Sequence, residues 1–182
     1  MKKFVFAVVF AWLLAGKVVF AEGFTLSSDD IGGQLSEAQV YSGFGCNGKN
    51  ISPQLKWENA PEGTKSFAVT LYDPDAPTGS GWWHWLIFDI PQNVTSLKAG
   101  AGNIKSGLAP KGAVQSVTSF GVAGFGGACP PQGDSAHRYL FTVYALKIDK
   151  LDLDSSAMPA LVGFMLNRNA LAKASLIAYY GR

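Results

Sequence analysis

The chain has 182 residues and a mass of 19.3 kDa, with 48% hydrophobic residues, 15% charged residues and a formal net charge of +2. That length suits one domain, large enough to bury a core without a metal or disulfide staple. The low charged fraction excludes a disordered, solvating chain, and 15 basic against 13 acidic residues give no general reason to expect nucleic acid.

Met1, Lys2 and Lys3 precede an apolar run of twelve residues, 4–15, and Val19-Phe20-Ala21 supplies small side chains at the −3 and −1 positions of a cleavage site. A positive start, a short apolar stretch and an A-x-A-like end describe a secretory signal peptide. The run is too short to span about 30 Å of hydrocarbon as a helix, and Lys17 interrupts it. The expected organisation is a cleaved signal over 1–21 and a single domain over 22–182. Removing Lys2, Lys3 and Lys17 leaves 12 basic against 13 acidic residues, so the mature charge is about −1.

The 21 Gly and 9 Pro mark many turns, as in a mainly β protein. The pattern predicts a short strand over 24–26, a loop over 40–53 and a short strand over 56–59. A longer strand over 66–72 places Phe67, Val69 and Leu71 on one face. Residues 73–81 form a loop, and the continuous apolar run 82–90 reads as a strand buried on both faces. Residues 93–127 read as loops with one short strand over 113–117, followed by a strong strand over 138–147. Asp154, Ser155 and Ser156 offer N-caps, Pro159 suits a first turn, and Leu161, Phe164, Met165 and Leu171 recur at helical spacing. A helix over 157–173 and a last strand over 175–180 complete the expectation.

Cys46 and Cys129 are the two cysteines. In an oxidising compartment such a pair invites a disulfide, worth roughly 4 kcal/mol in the chain-entropy model for a loop of this length. A thiol or metal pair is the alternative, with no C-x-x-C spacing to support it.

Chemistry-bearing residues are few. His84 lies in Trp82-Trp83-His84-Trp85-Leu86, and strand alternation puts it on the face of Leu86 and Phe88, substantially buried. His137 opens the strand His137-Arg138-Tyr139, on which Arg138 points to the opposite face and reads as an ion-pair former. Asp73-Pro74-Asp75-Ala76-Pro77 makes a restrained acidic rim at a strand exit. The Gly-rich stretch from Gly124 to Pro131 lacks the Gly-Lys-Ser/Thr ending of a Walker loop, no helix pattern follows it, and no G-x-S-x-G elbow occurs.

Together, Asp73-Pro74-Asp75-Ala76-Pro77, Trp83-His84 and Pro130-Pro131-Gln132-Gly133 leading to His137-Arg138-Tyr139 resemble the phosphatidylethanolamine-binding proteins, the family of the Raf kinase inhibitor protein. Asn50-Ile51-Ser52-Pro53-Gln54-Leu55-Lys56-Trp57 and Gly79-Ser80-Gly81-Trp82-Trp83 are similar to its secreted bacterial branch, and the likeness runs from Phe24 to Tyr180. The resemblance implies a mainly β, Greek-key fold with a large antiparallel sheet packed on a smaller one and a helix in the C-terminal region. It implies a non-catalytic, periplasmic or secreted protein with an anion pocket for phosphate, acetate or a phosphoethanolamine head group. Its ligand-binding residues would be Asp73, His84 and His137, supported by Asp75, Gly127, Cys129, Pro131 and Tyr139, with a cis bond at Ala76–Pro77. Where animal members carry a tyrosine before the pocket histidine this chain has Gly79, and Tyr179-Tyr180-Gly181-Arg182 stands in place of their helical C-terminal segment.

The chemistry fits such a pocket. Two imidazoles can donate to phosphate oxygens, backbone N–H groups in Gly-rich turns can add a cradle, and Asp73 can fix a histidine tautomer. Binding that tightens as pH falls through the histidine range is the expectation. Two other readings stand beside it: a kinase or peptidase inhibitor acting through the pocket rim, and a metal-dependent hydrolase using His84, His137 and Asp73. No cofactor is expected. The expected partners are a small phosphate-bearing ligand or phospholipid head group, a protein partner, or a second copy of the chain meeting at 78–82.

Overall fold

The structure is a computed structural model that describes residues 23–182; the expected signal segment, 1–21, lies outside the described residues. In chain order the elements are β1 (Thr25–Ser27), β2 (Ser42–Gly43), β3 (Cys46–Asn47), β4 (Leu55–Glu58), β5 (Ser66–Asp73) and β6 (Trp82–Pro91). Then follow β7 (Ser96–Leu97), β8 (Val114–Gln115), β9 (His137–Leu146), α1 (Pro159–Asn169) and β10 (Ala170–Tyr180). A five-stranded antiparallel sheet in the order β10-β9-β5-β6-β8 forms the centre, a three-stranded sheet β1-β4-β7 covers one face, and α1 covers the other. The mainly β architecture with one helix among the described residues is the one the sequence pattern implies.

Alternation along the long strands builds two cores. Phe67, Val69 and Leu71 on β5, Trp85 and Ile87 on β6, and Phe141 and Val143 on β9 point toward the smaller sheet and meet Leu55 and Trp57. The opposite face carries Ala68, Leu86, Phe88, Tyr144 and Leu146, which pack under Leu151, Val162 and Leu166. At roughly 1.5–3 kcal/mol for each fully buried large apolar side chain, these layers supply the main drive for folding.

Three expectations about the elements are corrected. The helix stops at Asn169, whose side-chain Nδ2 donates back to the Met165 carbonyl at 2.8 Å, and Ala170 already pairs with Leu146 in the central sheet. The last strand therefore starts five residues earlier than the pattern suggests; Ala174 and Ala178 are its buried positions, a signal too small to read beside the helical spacing of larger residues. The buried helix face is Val162, Gly163, Leu166 and Asn169, while Leu161 and Phe164 are exposed. A Cβ added at Gly163 would make ordinary van der Waals contact with the Trp83 ring at 3.8 Å, so the helix packs on the sheet at a distance that would also accommodate alanine. Lastly, Asp154 closes a local turn with Ser156 instead of capping α1, which begins at Pro159 without a side-chain cap.

The loop expected over 40–53 contains a small hairpin, β2 paired with β3 and tipped by Phe44 and Gly45. Cys46 on this hairpin is joined to Cys129 by a disulfide spanning a sequence separation of 83.

The reassigned helix face is tested by truncation. Leu166→Ala should lose about 2–5 kcal/mol in urea unfolding, whereas Phe164→Ala should stay within about 0.5 kcal/mol of the parent. Equal losses would return Phe164 to the core.

Candidate functional site

Of the two register shifts between β5 and β6, the one between Leu71 and Tyr72 builds the site. Leu71 lies opposite Trp85 and Tyr72 lies opposite Trp83, so His84 is the extra residue of a β-bulge. A bulge reverses the alternation beyond it. Trp83 packs against Tyr72 in a tilted ring pair, 4.5 Å between centroids, on the helix side, while His84 turns to the other side and meets Tyr139 edge to face at 5.2 Å. The expectation that His84 shares a face with Leu86 and Phe88 is therefore wrong, although its burial, at 3% exposure, is as expected.

Beyond the bulge the sheet ends place side chains around one cavity of about 210 Å³. Its wall includes Asp73 at the end of β5, Trp82 and His84 on β6, His137 and Tyr139 on β9, and Cys129 and Pro131 from the Gly-rich loop. Phe44 and Phe120 form an aromatic rim, stacked at 5.8 Å, and Phe120 also meets Trp82 and His84 edge-on. The structure thus brings together Asp73, His84, His137, Cys129, Pro131 and Tyr139.

The other two candidates act from behind the wall. Asp75 turns away: its carboxylate accepts from the Arg138 backbone N–H at 2.8 Å, from Nε at 2.9 Å and from Nη2 at 2.6 Å. The Arg138 guanidinium holds the Asp75 carboxyl down to about 2, and the pair locks the acidic loop onto β9. Gly127 contributes its carbonyl to His84, and its N–H is taken by the Asn50 side chain at 2.7 Å. The Ala76–Pro77 bond is trans, not cis; the turn there is closed by Asp73 Oδ1, which accepts from the N–H groups of Asp75 and Ala76.

Asp73 Oδ2 lies 2.8 Å from His137 Nδ1. With both its oxygens engaged inside the fold, Asp73 orients His137 and is not free to act as a base. His137 Nε2 lies 3.5 Å from Asp134 Oδ2 at the rim. His84 Nδ1 lies 2.8 Å from the Gly126 carbonyl and 3.1 Å from the Gly127 carbonyl. Carbonyls only accept, so Nδ1 carries the hydrogen and Nε2 presents a lone pair whenever the ring is neutral. Burial pushes the His84 pKa down to about 4 against the weaker pull of these carbonyls and of the Asp73 charge. His84 Nε2 and the Tyr139 hydroxyl are both buried without a hydrogen-bond partner. Burial and the nearby Asp73 carboxylate, through its charge and a weak attraction for the phenol hydrogen too poorly aligned or distant to count as a formed hydrogen bond, push Tyr139 ionisation up, so the phenol keeps its proton.

Most of the N–H groups expected to form a cradle in the Gly-rich loop are spent inside the fold. Gly127 donates to Asn50, Ala128 donates to the Gln39 carbonyl at 3.1 Å, and Pro130 and Pro131 have no N–H to give. The glycines serve close packing instead: a Cβ on Gly126 would meet the Phe120 ring at 2.3 Å, and one on Gly127 would meet the Gln39 carbonyl oxygen at 2.1 Å. Sequence reasoning also missed Asn50, whose Nδ2 holds the Phe125 carbonyl while Oδ1 holds Gly127. An asparagine among glycines, here at φ +54°, was the available signal.

A larger cavity of about 430 Å³ lies across Phe120, lined by Lys49, Asn50, Asn103, Lys105 and the glycines of the same loop. Its lysines are exposed and it holds none of the buried unpaired atoms, so the smaller cavity is the better candidate. Among the described residues no group of three or more His, Cys, Asp or Glu is arranged to hold a metal ion, and no helix is long and apolar enough to cross a membrane.

The state of His84 carries a stability prediction. An unfolded histidine takes up its proton below about pH 6.5, whereas folded His84 stays neutral to about 4. Between these values the unfolded state binds more protons, so stability falls with falling pH by up to about 1.4 kcal/mol per unit from this residue. Denaturant unfolding at pH 7 and pH 4.5 should show that loss, and His84→Gln should remove much of it. A ring titrating near 6.5 in the native protein by NMR would refute the assignment.

The geometry can be set beside known proteins. Residues 27–181 match the family model described as phosphatidylethanolamine-binding protein. The chain is 55% identical over 162 residues to the UPF0098 protein YbcL of Escherichia coli, covering 88% of each chain. It is 48% identical over 159 residues to the UPF0098 protein YbhB of the same organism, covering 85% of this chain and 98% of that one. The crystal structure of E. coli YbcL, described as a new member of the mammalian PEBP family, superposes with a TM-score of 0.86 over 87% of this chain and 98% of that one. The Chlamydia trachomatis homologue CT736, described as a putative phosphatidylethanolamine-binding protein, superposes at 0.71 with 27% identity, over 87% and 97% of the two chains. Family model, sequence identity and superposition agree, and the chain belongs to the phosphatidylethanolamine-binding protein family.

Proposed function

We propose that the protein is an exported, non-catalytic binding protein that captures a phosphate-bearing small molecule or head group in the cavity between β5, β6 and β9. One observation carries this reading: two buried polar atoms without partners, His84 Nε2 and Tyr139 Oη, belong to side chains lining one small cavity. Leaving such atoms unpaired costs about 1–3 kcal/mol each, so an occupant that pairs them gains that much. The volume of about 210 Å³ suits a head group, with the aromatic rim of Phe44, Trp82 and Phe120 left to meet an apolar remainder.

Three lining groups that hydrolysis could call on, Thr78, Cys129 and Asp73, are already engaged. Thr78 donates to the Gly81 carbonyl, Cys129 is in the disulfide, and Asp73 is fully engaged. Export is supported by the Lys2-Lys3 start, the apolar run after it, and a disulfide suited to an oxidising compartment such as the bacterial periplasm.

Titrating inorganic phosphate into the protein and following backbone amides by NMR should shift the signals of Asp73, Trp82, Cys129, His137 and Tyr139 at about millimolar concentration. His137→Ala should weaken this at least about tenfold, since it removes an imidazole and leaves the Asp73 carboxylate facing the anion. Phosphate shifts confined to the lysine-lined cavity would overturn the assignment.

Tyr139→Phe separates binding from folding. Removing an unpaired hydroxyl should leave stability unchanged or raise it by up to about 1 kcal/mol, while phosphate affinity drops. A large loss of stability would show that the hydroxyl is paired within the fold.

A further inference from the structure

The inner wall of the cavity is unusual for an anion site because its fixed polar atoms accept. The Gly126 and Gly127 carbonyls face inward on His84 Nδ1, which leaves Nε2 as a lone pair at the cavity wall. Two backbone N–H groups of the loop behind the wall are taken, by Asn50 at Gly127 and by Gln39 at Ala128. Both Asp73 oxygens accept within the fold, and Asp134 stands 3.5 Å from His137 Nε2 at the rim. Among the lining side chains, the donors that do not depend on a histidine being protonated are the Tyr139 hydroxyl, the Trp82 indole N–H at the rim, and the Thr78 hydroxyl, which is spent on the Gly81 carbonyl.

An anion without a proton would set its oxygen lone pairs against the lone pair of His84. An anion carrying one O–H would satisfy it. Building on the phosphate reading above, we propose that the pocket selects the singly protonated form of a phosphomonoester, its P–O–H donating to His84 Nε2 while an unprotonated oxygen accepts from the Tyr139 hydroxyl. Phosphodiesters and sulfate esters carry a similar single charge and shape but no O–H, and the pocket discriminates against them. The discrimination is by hydrogen-bond polarity and not by charge.

The competing arrangement is a protonated His84 donating to a fully ionised ligand. The groups facing His84 are Asp73 from β5, His137 and Tyr139 from β9, the Gly126 and Gly127 carbonyls, and the ring of Phe120. One carboxylate favours the proton, but burial outweighs it and holds the ring neutral at ordinary pH. If the ring stays neutral in the complex, the proton of the bound pair comes with the ligand. For a phosphomonoester the two arrangements contain the same number of protons, so pH dependence alone does not separate them; a ligand that cannot carry a proton does.

The test compares phenyl phosphate with phenyl sulfate on the unmodified, disulfide-bonded protein by calorimetry between pH 5 and 8. At pH 5.5 phenyl phosphate should bind about 100-fold more tightly than phenyl sulfate, the size expected when a buried polar group is left unpaired. Its affinity should fall about tenfold per unit once pH rises past its second pKa near 6, as the monoanion is depleted. Sulfate binding should stay weak throughout. If phenyl sulfate binds as tightly as phenyl phosphate, or tightens steeply toward pH 5, His84 takes up the proton itself and the selection proposed here is wrong, while the phosphate reading stands. If neither ligand nor inorganic phosphate binds, the phosphate reading fails and this inference with it.

Discussion

The site depends on one unpaired residue in a β-ladder. Between the Leu71–Trp85 pair and the Tyr72–Trp83 pair, β6 has one residue more than β5, and that residue is His84. Without the bulge the imidazole would lie on the helix side, opposite Tyr72 and beside Leu86 and Phe88, away from Tyr139 and the Gly-rich loop. With it, the ring passes to the face that carries Tyr139 and ends against two carbonyls of the Gly-rich loop. The same reversal carries Trp82, opposite Asp73, to the cavity. A local irregularity of the backbone thus assembles the pocket from three otherwise regular strands.

The wall that receives the imidazole is held from outside by contacts far apart in sequence. The Cys46–Cys129 disulfide ties the Phe44 hairpin to the loop, and Asn50 grips that loop at Phe125 and Gly127. Arg182 donates to the carbonyls of Pro130 and Gly45, bridging loop and hairpin a second time. Carbonyls would not hold a stable 2.8 Å approach to His84 on a loose loop, so these three clamps give the imidazole its fixed tautomer. Of the clamping residues only Cys129 lies in the cavity wall; Cys46, Asn50 and Arg182 act from behind it.

What could be read from the chain follows from how far each signal extends. The strands around Phe67–Leu71 and Phe141–Val143 are legible because alternation is uninterrupted where both cores are dense. The motifs bearing Asp73, His84 and His137 are legible as a set, since their residue types are rare in this chain and their spacing is distinctive. The facing of His84 is not, because a bulge leaves no mark in side-chain periodicity. The helix was misread because exposed Leu161 and Phe164 outweigh Val162, Gly163 and Leu166 in size, although the smaller set is the buried one. The glycines of the loop invited a cradle of N–H donors; which backbone group faces a cavity is set by distant partners such as Asn50 and Gln39, not by the loop's own composition.

Polarity at the pocket has to come from such local arrangements, because the chain has little charge to offer. The excess of positive residues lies in Lys2, Lys3 and Lys17, and from Glu22 onward acidic residues outnumber basic ones by one. Beyond about 8 Å, charge–charge attraction is screened at physiological salt, and the charged side chains close to the cavity are of both signs: Asp73 in its wall, Asp134 beside His137, and Arg182, which donates to the Pro130 carbonyl. A phosphate ester approaching this face gains nothing from long-range steering and is held, once inside, by directional hydrogen bonds. Such bonds distinguish a donor from an acceptor where a field of lysines would not. The bulge that brings His84 into the wall and the carbonyls that fix its tautomer therefore decide not only where a ligand binds but which protonation state of it fits.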